Sequence, residues 1–294
     1  VIYKENIFDR NQSILHLNIL RKYTEDCQSI HKIYIIDSIY KLQIKIAHHL
    51  KDTSAIAFRY NSYAVHLKGN NSFILGLEML DSSEKYRKSI VDVHHRKYLK
   101  FLNRRLSGDF YALRRDDFLA YQLYNESLDL LEEINKNREN LINQNFPKFD
   151  YFETKRSIVQ LFLRLDQKKR AINVLNDILV NTDTNLLHIG QLATLYNDLG
   201  DIYSSSVENL DTINLALKYY NISLLYRKKD ENSNIGWTYR NMGNTLIAQL
   251  NDMDGFKYLD SAEYYFKNHD KNNGLLQTYR SKIKSYYRLK EYDS

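Results

Sequence analysis

Tyr196-x-x-Leu199-Gly200-x-x-Tyr203, then Ala216-x-x-x-Tyr220, is answered further along the chain by Tyr239-x-x-Met242-Gly243-x-x-Leu246 and Ala262-x-x-x-Phe266. One cadence is stated twice between Thr194 and Phe266. In each statement an aromatic, an aliphatic residue and a glycine stand at i, i+3 and i+4, which is one stripe of an α-helix. Small residues such as Gly200 and Ala216 leave room for a second helix to press against the first. Each statement therefore reads as a helical hairpin.

The cadence resembles the tetratricopeptide repeat, W-x-x-L-G-x-x-Y followed by A-x-x-x-F. The resemblance implies an all-α fold, a right-handed solenoid of antiparallel helical hairpins, six or so in this chain. Upstream, Lys155-x-x-Ile158-Val159-x-x-Phe162 and Ala171-x-x-x-Leu175 give an uninterrupted repeat, with Thr154 as its predicted helix cap. The next repeat starts near Gly190. Its loop at 204–209, or an extra helical turn, absorbs a longer interval than the ~34-residue consensus allows. Downstream, Thr278-Tyr279-Arg280 echoes Thr238-Tyr239-Arg240, with Ile283 in the glycine position. Lys290 to Ser294 then reads as the turn before a second helix. A repeat helix without its neighbour leaves an apolar face bare, so the expectation is a natural protein that continues, or an end that packs on another chain.

The first half is less regular. Helical periods run from Ile7 to Tyr23 and from Ile30 to Leu50, and Lys51-Asp52-Thr53-Ser54 supplies a turn and N-cap for a helix from Ala55 to Leu67. Gly69 reads as that helix's C-cap and Ser72 as the start of its partner, Phe73 to Tyr86; Asn61 stands where the family prefers glycine. Ile90–Leu106 and Asp116–Ile134 form another pair, with Ser107-Gly108-Asp109 read as the turn. A polar stretch from Asn135 ends at Pro147, the only proline, which disfavours helix just before it. The predicted organisation is degenerate hairpins over 1–146 and a repeat array with a truncated last repeat over 147–294, or one continuous superhelix.

Composition agrees with a helical chain. Of 294 residues only one is proline and nine are glycine, too little punctuation for many short strands. The 43% apolar content supports a core, and 25 tyrosines suit aromatic contacts between helices. A net charge of +6 from 42 basic and 36 acidic residues is a mixed solvated surface, not a nucleic-acid-binding composition. No apolar run reaches the ~18 residues that span a membrane. The chain opens at Val1 with no signal-like segment, which reads as a processed or excised protein; the compartment, cytoplasmic or periplasmic, stays open.

No catalytic set stands out. His48-His49 and His94-His95 are adjacent pairs, and neighbours on a helix point about 100° apart, so neither pair chelates one metal as i, i+4 spacing does. Cys27, with His31 four positions on, reads as an inert thiol, and no cofactor or metal is implied. Arg96, Lys97, Lys100, Arg104 and Arg105 make a basic helix, read as a solvated face and alternatively as a surface for nucleic acid or an acidic partner. Lys168–Arg170 and Arg227–Lys229 read as cations opposing the negative ends of helices.

In the tetratricopeptide family the first helix of each hairpin lines a groove. The resemblance places Arg156 and Gln160, Asn197 and Asp201, Arg240 and Asn244, and Arg280 and Lys284 on that face, with Trp237 beside them as an apolar anchor or a packing residue. Forked Arg and Asn donors suit a peptide backbone or carboxylate. The expectation is a non-enzymatic module that binds a protein or peptide, similar to the sensor regions of bacterial signalling and regulatory proteins. The alternatives are a receptor of the peptide-pheromone type and a nucleic-acid-associated scaffold using 96–105.

Overall fold

A computed structural model describes residues 20, 33–136, 148–181, 188–205, 210–229, 234–269 and 271–292. Twelve α-helices and no strand occur among the described residues. The helix expected over Ile7–Tyr23, Leu20 apart, and the Cys27–His31 pair lie outside them. Contacts group the chain into two compact units, Val1–Pro147 and Lys148–Ser294.

In the first unit α1 (Ile33–His49) packs on α2 (Thr53–Gly69), α2 pairs with α3 (Phe73–Arg87), and α4 (Val93–Leu113) pairs with α5 (Asp117–Lys136). Ala64, Leu80, Leu106 and Phe110 form a core shared by α2, α3 and α4. The second unit holds the pairs α6 (Lys148–Arg164) with α7 (Lys168–Asn181), α8 (Ile189–Ser204) with α9 (Leu210–Lys229), and α10 (Ile235–Ala248) with α11 (Asp252–Asn268), followed by α12 (Asn272–Tyr292). Ala216, Tyr220, Leu224, Ile235 and Met242 knit α9 to α10. The described residues thus contain five hairpins, with α1 before them and α12 after them in sequence.

Glycine is used for space and not for turns, and this reverses two expectations. The turns after α1, α2, α4, α6 and α10 each contain one left-handed residue, Lys51, Asn71, Arg115, Asp166 and Leu250, while no glycine has positive φ. Gly69 is therefore not a left-handed cap; Asn70 caps α2 and Asn71 makes the turn. Gly108 does not end its helix either. It sits inside α4, where a Cβ would lie 2.8 Å from the Tyr124 ring of α5, and the chain turns only at Arg114–Asp116. Gly200 does the same for α8, its absent Cβ making way for Tyr220 of α9 at 2.5 Å. Asn61, in place of the family glycine, is a buried polar node: its amide donates to Ser83 Oγ at 3.0 Å and to Asn103 Oδ1 at 2.6 Å.

Two further expectations change. Thr154 is fully buried inside α6, which begins six residues earlier at Lys148, so it does not cap the helix. Lys290–Tyr292 continue α12 and form no turn, because nothing in that stretch breaks a helix. Lys168–Arg170 stand at a helix end, the start of α7, and Lys168 opposes the negative end of α8, donating to the carbonyl of its C-cap Ser205 at 2.9 Å, while Arg170 lies 4.2 Å over the Phe162 ring. The three cations at Arg227–Lys229 do occupy the last turn of α9. Tyrosine serves the hairpin contacts: Tyr196, Tyr219 and Tyr226 stack between α8 and α9, and Tyr239 meets Tyr258 and Tyr265 between α10 and α11.

Candidate functional site

The first helices of successive hairpins are bonded to one another by polar side chains about one repeat apart in sequence. Arg156 Nε of α6 donates to Asp198 Oδ2 of α8 at 2.7 Å, across 42 positions. Thr238 Oγ1 of α10 donates to Asn197 Oδ1 at 3.1 Å and Asn241 Nδ2 to Asp201 Oδ1 at 2.8 Å, across 41 and 40 positions. The first unit repeats the arrangement between α2 and α4, through Asn61 with Asn103 and Lys68 with Asp109, across 42 and 41.

Asp201 is the centre of the arrangement in the second unit. Its Oδ1 accepts from Tyr220 of α9 at 2.8 Å and from Asn241 of α10, and its Oδ2 accepts from Asn197 at 3.0 Å. Ser204 Oγ lies 3.1 Å from the same tyrosine hydroxyl. All three donors are neutral, and no cation stands within ion-pair distance of Asp201 among the described residues. Burial pushes its carboxyl up to about 7, helped by the nearby charge of Asp198 and opposed by the hydrogen bonds from Tyr220 and Asn241. The carboxyl opens into a cleft of about 270 Å³ lined by Ser204, Tyr220, Asn241, Asn244, Thr245 and Ala248.

The sequence-predicted residues divide between this cleft and other places. Asn197 and Asp201 are hydrogen-bonded at its base, and Asn244 lines it. Arg240 lies 5.8 Å from the Trp237 ring with its Nε buried and without a hydrogen-bond partner, and burial lowers its pKa. Trp237 packs edge-on against Phe266 of α11 at 5.0 Å. Arg156 is engaged by Asp198, while Gln160 on α6 and Arg280 and Lys284 on α12 are exposed and do not line the cleft. Asn241 and Asp198 were not anticipated, being two positions after the stripe tyrosines Tyr239 and Tyr196 instead of one. Their signal is pairwise: complementary polar residues one repeat apart.

Removing Arg156 strands a carboxylate that is only 4% exposed. A fully buried pair broken in this way costs roughly 3–5 kcal/mol. Here the Arg156 side chain is 35% exposed, and Arg227 also acts on Asp198 electrostatically. Arg156→Ala is therefore expected to lower unfolding stability by about 2 kcal/mol, measured by urea titration at neutral pH; a change below about 0.5 kcal/mol, the range of an ordinary surface substitution, counts against a structural role for the pair.

Elsewhere the titratable clusters bind within the fold. His66 meets Asp37 of α1 at 3.2 Å, His95 meets Ser54 at 3.0 Å and His48 packs on Tyr86. Among the described residues no three His, Cys, Asp or Glu side chains are grouped to hold a metal ion, and no helix is long and apolar enough to cross a membrane. On the basic helix, Lys97 pairs with Glu133 at 2.6 Å and Arg104 with Glu126 at 3.1 Å, both on α5.

No protein-family model matches the chain, and no curated protein matches it. Solved structures do. BtubC (BKLC) from P. vanneervenii aligns at TM-score 0.62 and 14% identity over 81% of this chain and 92% of its own. The apo form of RapI aligns at TM-score 0.57 and 11% identity, covering 94% and 99% respectively. A Rap protein complexed with Competence and Sporulation Factor aligns at TM-score 0.54 and 13% identity, covering 94% and 77%. These neighbours are built of tetratricopeptide-like repeats, and the chain has that type of fold.

Proposed function

We propose that this tetratricopeptide-type chain is a non-enzymatic interaction module that grips a peptide or protein segment along α8 and α10, as the sensor or scaffold part of a larger regulatory protein. The observation that carries the reading is hydrogen-bonding capacity left over at an open cleft. Asn244 lines the cleft and makes no side-chain bond among the described residues, and Arg240, one turn before it on α10 and outside the lining, has a buried Nε without a partner. A buried donor without an acceptor costs about 1–3 kcal/mol, a cost removed when the Arg240 side chain rotates out to a bound backbone carbonyl or carboxylate. Asn and Arg present paired donors that suit such groups. The Rap protein of this fold that is seen with Competence and Sporulation Factor supports the same class of ligand. Engagement of Lys97 and Arg104 by α5 leaves the basic helix with less free charge for nucleic acid.

The test is selection of binders from a random peptide display library on the full chain, followed by the double variant Arg240→Ala with Asn244→Ala. The expected result is at least a tenfold weaker dissociation constant, ~1.4 kcal/mol, with stability within about 1 kcal/mol of the parent. Undiminished affinity in the double variant overturns the reading.

A further inference from the structure

The fold contains the same node twice, and only one copy is electrically complete. In α4 and α5, Gly108 accommodates the Tyr124 ring, whose hydroxyl donates to Asp109 Oδ1 at 2.8 Å. In α8 and α9, Gly200 accommodates Tyr220, whose hydroxyl donates to Asp201 Oδ1 at 2.8 Å. A serine one turn further on is buried in each copy, Ser127 donating to the carbonyl of Tyr124 in its own helix and Ser223 to that of Ala193 across the hairpin. The difference is the cation. Asp109 receives Lys68 Nζ at 2.7 Å from the preceding first helix, across 41 positions. At that same separation before Asp201 stands Gln160, which is neutral and exposed. On the other side of Asp201, towards α9 and α10, an open cleft of about 270 Å³ is lined by no cation, and its size is the liquid volume of roughly nine water molecules.

We propose that the cleft at Asp201 receives a cationic group of the ligand, an ammonium or a guanidinium, which gives this carboxylate from the α10 side the charge partner that Asp109 has in Lys68 from the preceding first helix. This rests on the reading of the α8–α10 face as a peptide-binding groove and names the chemistry of one of its subsites. The charged and titratable groups around Asp201 are Tyr220 from α9, Asp198 on α8 itself, Arg156 from α6 and Arg240 from α10. Arg156 is spent on Asp198 and Arg240 lies over Trp237, so neither supplies the missing charge at contact distance. Because the empty carboxyl titrates at about 7, an incoming cation displaces a proton below that pH. Binding therefore strengthens as pH rises, by up to about tenfold per unit below the carboxyl's pKa, and levels off above it.

The probes are N-acetyl-arginine amide and its neutral isostere N-acetyl-citrulline amide, titrated against the full chain while the amide resonances of Asn241 and Asn244 are followed. The expected result is a preference of at least tenfold for the arginine probe at pH 8 that shrinks towards pH 6. Asp201→Asn removes the preference. It mimics the protonated carboxyl, and its thermal melt shows that it folds. Asn244→Lys, placed on the cleft wall, weakens the arginine probe by supplying a competing internal cation. Equal binding of the two probes, no binding of either, or a preference that survives Asp201→Asn overturns the proposal. A library peptide that depends on Arg240 and Asn244 but tolerates citrulline in place of every arginine and acetylation of every amine leaves the groove reading standing and removes this one. A preference for the arginine probe without any captured peptide does the reverse.

Discussion

Asp201→Asn is expected to stabilise the protein at pH 8 by about 3 kcal/mol and to flatten its stability between pH 4 and pH 7. The carboxyl has an ordinary value of 3.8 when unfolded and about 7 in the fold. Below the lower value both states are protonated and the group contributes no difference. Between the two, the unfolded chain gives up the proton while the folded chain keeps it, so folding becomes less favourable as pH rises. Above about 7 both are ionised and the full cost remains, at most ~4 kcal/mol for a shift of this size. The estimate of about 3 allows for the opening of the cleft to solvent. Asparagine keeps one oxygen to accept from Tyr220 and Asn241 and removes the charge, and its NH2 is met by the oxygen of Asn197 once that amide turns over. Asp198, also pushed up by burial, adds a slope of the same sign to both proteins, so the difference between the two profiles is what reports Asp201; Lys267 and Lys282 hold Glu263 down to about 2, and its contribution is lost as pH falls from the ordinary carboxylate value towards that point. Urea denaturation of both proteins at pH 4.5, 6 and 8 decides the matter, and parallel profiles refute it. A chain that keeps an unmatched carboxylate at this cost fits the trade-off between stability and function seen at binding sites.

Gly243→Val is expected to cost about 4 kcal/mol, beyond the usual ~1–3 kcal/mol of overpacking. At most glycines here the obstacle to a Cβ is a ring or a flexible side chain. At Gly243 the nearest atom is the carbonyl oxygen of Gly255, 2.8 Å away, with Leu259 at 2.9 Å behind it. A Cβ on Gly255 would in turn lie 3.0 Å from the Gly243 carbonyl and 2.5 Å from Ile247. Backbone meets backbone where α10 crosses α11, and neither side has a rotamer to change. Since Gly243 stands next to Asn244, the strain also moves the cleft wall. Chemical denaturation measures the loss; a value under 1 kcal/mol shows that the helices separate more easily than this contact implies.

The hairpins were legible because their cadence is local. A stripe at i, i+3 and i+4 with one small residue says how two consecutive helices press together, and Gly200, Gly243, Ala216 and Ala262 all sit at those contacts. Glycine misleads about boundaries in this sequence: Gly108 and Gly69 carry ordinary helical backbone, while Asn71 and Arg115 bend the chain. The cleft was half legible. Asn197, Asp201 and Asn244 stand where the family resemblance implies groove residues, but Asn241 and Asp198 are placed by partners on another hairpin, and a pattern confined to one helix holds no trace of them. The elevated carboxyl at Asp201 is more distant still from the sequence, since it depends on which three helices enclose it.

The polar bonds that join first helices across 40 to 42 positions mean that the register of the array is stored in side chains and not in the count of residues between hairpins. Length added in a connection leaves every such pair intact, so the connections are where this chain tolerates insertions, tags or a grafted reporter. A single residue deleted inside α8 is a different event. It rotates the downstream part of the helix by about 100° and removes Asp201 from Asn241 and Tyr220 together. Tolerance to insertion in this protein should therefore alternate along the chain, high between hairpins and near zero within α8 and α10.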